Sequence, residues 1–563
     1  MSERARGLAR AVLGLLICHR VAYHLLYVAV VPFARATFSD GSLYESAARD
    51  LLRHPPWGSE PFYLQGAYAY LLALGMAGTG ELLHGLMAQL CLAGLSLLAA
   101  CWAFRRVFAA DAGLLAMLCL LGYFPLAFYE NKYLSASLGT SSLMLVWAAL
   151  AWYGSVEQAP RRRLASFALG VCTALAVLAR PNMLLAVPST ALALGLLAGR
   201  RRLLDLAPWA LGLALCFAPM MLRNALVTGA ASLFPAHGGG TSFYIGNNPH
   251  ADGRWNSAGG LFSGQVGLER TELLRALELP SRGARLDAEA IGSELYRRAF
   301  AFIRSEPHAW LELEARKVWL TLGSDELTQD YDRLGERELL GAGFGWGIPF
   351  ALLLALGFVG LTRLHARRRE PLQAAWLALL GGQLLAALLA NVGFFTSSQH
   401  RLPIAVVACP LAGLGLHAIV QRFLPRPDEQ RASPAGSYVL IVAGLLCVQA
   451  WVPRESRSRP SVAHYYNLSV VEAHSGNVAS AALALDRALA RRPSDPVFLV
   501  EQAGLMRQLG QFAIAEALLG KLRGLSSVPA WVRERERSER LLSAQRRTES
   551  LERLREGKPS RVW

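Results

Sequence analysis

Phe38-Ser39-Asp40-Gly41-Ser42-Leu43-Tyr44 follows directly on an apolar stretch over residues 10–35. A carboxylate at the mouth of a membrane bundle meets solvent while lying next to lipid headgroups. There it is placed to deprotonate an acceptor, or to hold a metal, beside a lipid-linked phosphate. Taken alone, Asp40 reads first as a helix N-cap or a solvated loop acid. The rest of the chain decides between these readings.

The 563 residues are 53% hydrophobic and only 17% charged, and the charges cluster between long apolar runs. Mean hydropathy is +0.30. A soluble protein of this length is less apolar. Spans near the roughly 20 residues a bilayer requires are expected at 10–35, 82–104, 113–129, 133–153, 164–180, 182–199, 204–226, 342–364, 373–394, 402–420 and 436–452. The fold class expected is therefore an all-α, polytopic membrane helical bundle of eleven spans. The first span lacks a small-residue cleavage site and reads as a retained anchor.

Arg4/Arg6/Arg10, Arg105-Arg106, Arg161-Arg162-Arg163, Arg200-Arg201-Arg202, Arg367-Arg368-Arg369 and Arg422/Arg426/Arg431 form six basic clusters. With a cytoplasmic N-terminus all six face the cytoplasm, as the positive-inside rule requires. That parity demands that residues 63–77 do not cross; Tyr and Gly interrupt them, so they read as an interfacial or re-entrant helix. The excess of +16 charges is mostly topogenic Arg plus a basic tail, and implies no nucleic-acid partner. All eight Cys fall inside expected spans, where free Cys behaves as a small hydrophobe, so neither disulfides nor a metal cluster is expected.

Three outer regions follow from this topology: 36–81, 227–341 and the tail from about 453. Short turns surface on the same side at Tyr129-Glu130-Asn131-Lys132, Ala179-Arg180-Pro181-Asn182 and Ser398-Gln399-His400-Arg401-Leu402-Pro403. Polar groups gathered at one face fit an enzyme acting on a lipid-linked substrate. A transporter would carry ionisable groups near the midplane. His237, followed by three glycines, has no metal-ligand partner at recognisable spacing, and Gly238-Gly239-Gly240 lacks the Lys and Ser/Thr of a phosphate loop.

The tail repeats itself. Gly476, Ala481 and Leu485 recur as Gly510, Ala515 and Leu519, 34 residues on, with Asn467-Leu468, Ala488 and Pro493 completing the pattern of a tetratricopeptide unit. The domains expected are a membrane domain at 1–452, helical-hairpin repeats at 453–529 and a charged helical or flexible end at 530–563.

The membrane portion resembles the GT-C superfamily of integral glycosyltransferases. Within it, residues 10–420 are similar to the bacterial branch related to protein O-mannosyltransferases and the lipid A aminoarabinose transferase. The resemblance rests on Asp40 through Tyr44 with Ala48, on Glu60-Pro61-Phe62-Tyr63 before Tyr68-Ala69-Tyr70, and on Tyr129-Glu130 with Leu134. It continues through Leu178-Ala179-Arg180-Pro181-Asn182 and Phe243-Tyr244-Ile245-Gly246-Asn247-Asn248-Pro249 with Ala251-Asp252-Gly253. Arg316-Lys317 before Glu326 and Asp330, then Arg401-Leu402-Pro403, complete it. The chain departs from the family pattern at Gly41, at Gly66-Ala67-Tyr68-Ala69 and at Gln399.

The resemblance implies transfer of a sugar from a polyprenyl-phosphate donor to an acceptor at the periplasmic face of a bacterial inner membrane. The acceptor is a glycan, a lipid or a protein, and the tail is an expected site for a protein partner. Such a displacement needs a base for the acceptor hydroxyl and cations for the leaving phosphate. Asp40 is the expected base, with Glu130 assisting it or sharing a divalent metal such as Mg or Mn with it; Glu130 reads equally as a solvated turn acid. Arg401 is the first candidate for the phosphate, followed by Arg180, Lys132 and Lys317. Glu60, Tyr244 and Asn247 are further substrate-side candidates, although Asn-Asn-Pro is also a plain turn signal. Asp325, Glu326 and Asp330 are candidates to cap or line the groove. Two other readings stay open: a flippase for lipid-linked glycans, which needs a polar path through the bundle, and a scaffold presenting the repeats, which would tolerate loss of Asp40.

Overall fold

The computed structural model describes residues 1–235, 238–257, 260–262, 268–323, 326–423, 460–526 and 528–555. The expected span at 436–452, Asp325 and His237 lie outside them. Among the described residues the secondary structure is helical, with one isolated β-bridge between Arg254 and Thr396.

In chain order the helices are α1 (Glu3–Val30), α2 (Asp40–Arg53), α3 (Gly66–Met76), α4 (Leu82–Val107), α5 (Ala110–Gly122), α6 (Phe124–Glu130), α7 (Ser135–Ser155) and α8 (Ala159–Ala179). They continue with α9 (Val187–Ala198), α10 (Arg202–Thr228), α11 (Gly239–Gly246), α12 (Glu269–Ala276), α13 (Ala284–Ser305), α14 (Pro307–Leu322), α15 (Arg333–Leu340), α16 (Phe350–Ala366), α17 (Pro371–Gly393) and α18 (Ser398–Phe423). The tail holds α19 (Val462–His474), α20 (Val478–Leu489), α21 (Pro496–Gln508), α22 (Phe512–Arg523) and α23 (Ala530–Arg555).

Among the described residues eight helices are long and apolar enough to cross a membrane, or nine if α5 and α6, bent by 54° at Tyr123, form one span. The protein is a polytopic helical membrane protein. Ten of the eleven expected spans meet a helix. The window at 342–364 is corrected: its helix begins only at Phe350, because Gly343-Phe344-Gly345-Trp346-Gly347 precedes Pro349 and Gly345 takes a positive φ of 93°. Over 63–77 the helix is α3, only 11 residues long and too short to cross.

Two compact units partition the chain. The first comprises Met1–Tyr27, Ser39–Gln329 and Gly343–Ser456; the second comprises Val28–Phe38, Asp330–Ala342 and Arg457–Trp563. In the first unit α7 is the innermost span, with 83% of its apolar window buried, against 17% for α1. Its hydroxyls bond back to its own carbonyls, Thr140 to Ala136 at 3.1 Å and Ser142 to Leu138 at 2.7 Å, so they enter the core satisfied. Trp147 of α7 donates to Gln383 of α17 at 2.9 Å. Close helix crossings depend on glycine: a Cβ on Gly170 would stand 2.0 Å from the Trp209 carbonyl oxygen, and one on Gly212 would stand 2.4 Å from that of Phe167.

In the second unit α19–α20 and α21–α22 are two helix pairs whose boundaries differ by 34 residues. Gly476 and Gly510 make the intervening turns at φ 81° and 75°. Ala481, Leu485 and Ala488 of one pair, with Ala515 and Leu519 of the other, are buried in a common core. Asp332 joins this unit's discontinuous segments. Its Oδ1 caps α15 through the Leu334 amide at 2.8 Å, and its Oδ2 accepts from the Ser461 amide at 2.6 Å. Asp330 belongs here too, its carbonyl accepting from the Asn467 side chain at 3.0 Å. At the far end, Arg507 of α21 pairs with Glu539 of α23 at 2.6 Å.

Candidate active site

Asp40 is the first residue of α2, at the helix N-terminus. The residue before it, Ser39, is one of two described non-glycine residues at positive φ, here 49°. Ser42 closes this turn, its amide and hydroxyl both donating to the Ser39 carbonyl, at 3.0 and 2.7 Å. A backbone strained immediately before an acid is a feature that functional sites accumulate.

Around Asp40 the structure gathers Tyr44, Tyr63 and Arg180, each within electrostatic reach of the carboxylate. Tyr44 lies one turn along α2, and burial, then the charge of Asp40, push its hydroxyl above the ordinary tyrosine range. It donates to the side-chain oxygen of Gln65, which also accepts from Ser135 at 3.3 Å. Tyr63 bonds to Glu269 of α12, and burial raises both of these groups. Arg180 sits at the C-terminus of α8, where its Nη2 donates to the Gln399 carbonyl at 3.4 Å. Its stem lies against Gly139, where a Cβ would stand 2.8 Å from Cγ. Its Nε is buried without a hydrogen-bond partner.

Behind this group stands a polar layer. Tyr44 packs edge-on to Tyr68 at 4.7 Å, and Tyr68 donates to Gln89 at 2.5 Å. Gln89 in turn donates to the carbonyls of Glu130 and Lys132, at 2.5 and 2.9 Å. Glu130 is buried and pairs with Arg20 at 2.5 Å and with His24 at 3.3 Å. Lys132 is buried with its ammonium over the rings of Tyr27 and Phe128, at 4.0 and 4.2 Å.

The loop from Arg53 to Tyr63 is organised by Asp50. Its carboxylate accepts from the Ser59 amide at 2.8 Å, the Ser59 hydroxyl at 2.7 Å and the Glu60 amide at 3.0 Å, with His54 at 3.0 Å. Burial opposes the charge, but these bonds outweigh it and hold the carboxyl down to about 2. Arg223 of α10 clamps the other side of the loop: it donates to the carbonyls of Trp57 and Glu60 and lies 3.5 Å from the ring of Phe62. Glu60 therefore serves this loop through its backbone, while its side chain is exposed.

Asn247 and Lys317 come together away from the Asp40 group. Lys317 Nζ donates to Asn247 Oδ1 at 3.1 Å and to Glu314 at 2.6 Å, and Trp310 Nε1 donates to the same Asn247 oxygen at 3.1 Å. Asn247 Nδ2 donates to the carbonyls of Phe243 and Gly393, at 2.9 and 3.0 Å. Burial lowers Lys317 and raises Glu314, with each partner opposing the other's shift. Tyr244 is half-buried on α11, and its carbonyl accepts from Asn248 at 2.8 Å. Arg401 is buried at the start of α18 and donates to the carbonyls of Leu320 and Gly323 at 3.3 and 2.5 Å, closing the C-terminus of α14. Glu326 lies 3.9 Å from it.

Of the nine site candidates, the structure brings Arg180 within electrostatic reach of Asp40 and groups Glu130 with Lys132 and Asn247 with Lys317. Sequence reasoning did not single out Tyr44, Gln65, Tyr63 or Glu269 for the site; Tyr44 and Tyr63 stood in the motifs, but Glu269 carries no signal that distinguishes it from a solvated helix acid. Among the described residues no three or more His, Cys, Asp or Glu side chains are gathered to hold a metal. With Arg20 and His24 on Glu130, the donor set does not fit a metal shared with Asp40.

No family model matches the sequence, and no curated protein does. Solved structures do. The oligosaccharyltransferase of Archaeoglobus fulgidus in its apo form is similar at a TM-score of 0.42 and 12% identity, over 79% of this chain and 55% of that one. ArnT of Cupriavidus metallidurans bound to undecaprenyl phosphate is similar at a TM-score of 0.31 and 13% identity, over 81% of this chain and 91% of that one. This chain thus spans about half the length of the archaeal enzyme it matches.

Proposed function

We propose that the protein is a membrane glycosyltransferase that moves a sugar from a polyprenyl-phosphate donor to an acceptor hydroxyl, with Asp40 as general base. The observation that carries this reading is Asp40 on a helix N-terminus with the partly buried guanidinium of Arg180 within electrostatic reach of it. Asp40 takes the hydroxyl proton as the acceptor oxygen attacks the anomeric carbon. The bond from that carbon to the phosphate oxygen breaks, and the lipid phosphate leaves with its charge facing Arg180. Tyr44 and Tyr63 flank the acid and orient it. Glu130 and Lys132 support the site from the layer behind, and Arg401, Asn247 and Lys317 hold α14 against α11 and the ends of α17 and α18.

In this reading the N-terminus is cytoplasmic, and the site and tail face the periplasm of a bacterial cell. The 34-residue helix pairs read as tetratricopeptide units that meet a protein partner. The test is to offer the purified chain, in nanodiscs, a panel of polyprenyl-phosphate sugars. Release of polyprenyl phosphate, slow without acceptor and faster with it, supports transfer. Properly folded protein that neither binds nor consumes any donor overturns the reading in favour of the scaffold.

A further inference from the structure

Two outer helices end at the level where the membrane spans end. Asn247 is bonded both to Gly393, the last residue of α17, and to Lys317 of α14. Arg401, in the first turn of α18, closes the C-terminus of α14. The C-terminal half of α14 is therefore held at the membrane–water boundary, where α17 stops and α18 starts. α13 is fixed at the same depth: Phe394, directly after α17, meets Phe243 edge-on at 5.8 Å, and Phe243 packs on Tyr296 and Phe300 of α13, both at 5.3 Å.

At that depth both helices expose apolar side chains. Along α14 these are Leu311, Val318 and Leu322, at 56%, 40% and 37% exposure, with Ala315 between them. Their spacing of four, three and four residues puts them on one helical face. On α13, Tyr296 and Phe300 lie one turn apart and remain 37% and 45% exposed. Exposed Arg304 and Arg316 flank these positions. In water such a surface is a liability. At the boundary, aromatic rings settle among headgroups, aliphatic side chains reach the acyl chains and arginines extend to phosphates. The surface is continuous with α17, which packs against α14 and turns Leu385 and Leu389 outward.

We propose that α13 and α14 form a bilayer-docking surface, seated in the headgroup layer through Leu311, Val318, Leu322, Tyr296 and Phe300. The occupant is phospholipid rather than a glycan, because the exposed face of α14 is aliphatic and carries no hydrogen-bonding side chain at its central positions.

This inference rests on the membrane reading, and the experiment separates the two. Nitroxide labels are placed on the full chain in phosphatidylcholine–phosphatidylglycerol liposomes at Leu311→Cys, Val318→Cys, Phe300→Cys, Glu312→Cys and, as a span control, Leu389→Cys, with the unsubstituted protein's labelling subtracted. Relaxation by oxygen is compared with relaxation by a water-soluble nickel chelate. The proposal expects positions 311, 318 and 300 to respond to oxygen and lose the chelate response, as 389 does, while 312 responds to the chelate. If 389 is lipid-exposed but 311, 318 and 300 answer the chelate as strongly as 312, the docking surface is wrong and the membrane fold stands. Positions closed to both agents would also overturn it, marking a protein or glycan cover. Wild-type elution of each variant on size exclusion guards against misfolding.

Discussion

Lys317 donates to the side-chain oxygen of Asn247 at 3.1 Å, so two residues that the sequence offers as separate substrate ligands are a single internal tie between α11, α14 and the end of α17. Cutting it from either side leaves buried polar groups unpaired. Asn247→Ala should cost about 1–3 kcal/mol, and Lys317→Met should cost less than Lys317→Ala because it keeps the buried volume without the charge. Thermal unfolding of the detergent-solubilised chain measures both. A double variant costing the full sum of the singles would show the two residues are uncoupled.

Asp50 makes a pH prediction. Its carboxyl is held at about 2, below the ordinary 3.8, by the Ser59 and Glu60 amides, the Ser59 hydroxyl and His54. A depressed carboxyl contributes stability that is present in full above its unfolded value and is lost as pH falls through the folded one. The stability gap between parent and Asp50→Asn should therefore be constant above pH 3.8 and shrink from there toward about 2. A gap that stays constant through that window would show that the network does not act through the charge.

Packing at the α8–α10 crossing gives a third. Gly212→Leu must displace the Phe167 carbonyl, which a new Cβ would meet at 2.4 Å. It should cost about 1–3 kcal/mol or more, read as a lower unfolding temperature, whereas leucine at Gly195, with nothing within 4 Å, should be neutral.

How far the sequence discloses these features depends on what kind of signal each leaves. Apolar length identifies the spans directly, since a bilayer demands it, and the 34-residue period of Gly476 and Gly510 returns as two helix pairs. The helix start at Phe350 escapes hydropathy, because Phe344 and Ile348 keep the window apolar while the interleaved glycines and Pro349 disfavour a helix. Arg401 and Arg180 look alike in sequence, each a cation at a span end. Only tertiary contacts distinguish them: Arg401 donates to the carbonyls of Leu320 and Gly323, closing the end of α14, while Arg180 donates to the Gln399 carbonyl at 3.4 Å and lies within electrostatic reach of Asp40.

That distinction is testable. Arg180→Gln should weaken donor capture and slow turnover about a hundredfold, at little cost in stability, since the loss is of charge facing the leaving phosphate. Arg401→Gln should lower the unfolding temperature first, with the remaining folded protein retaining its affinity for donor. Donor titration and thermal unfolding on the same preparations separate the two effects, and the reverse pattern would exchange the roles.

The most direct measurement compares the parent with Asp40→Asn in nanodiscs, following transfer from the polyprenyl-phosphate sugar that the parent consumes, together with slow donor hydrolysis and donor binding. With Asp40 as the base, turnover falls by a factor of about a hundred or more while donor binding and unfolding temperature hold. Unchanged turnover in a folded, donor-binding Asp40→Asn protein would contradict the account.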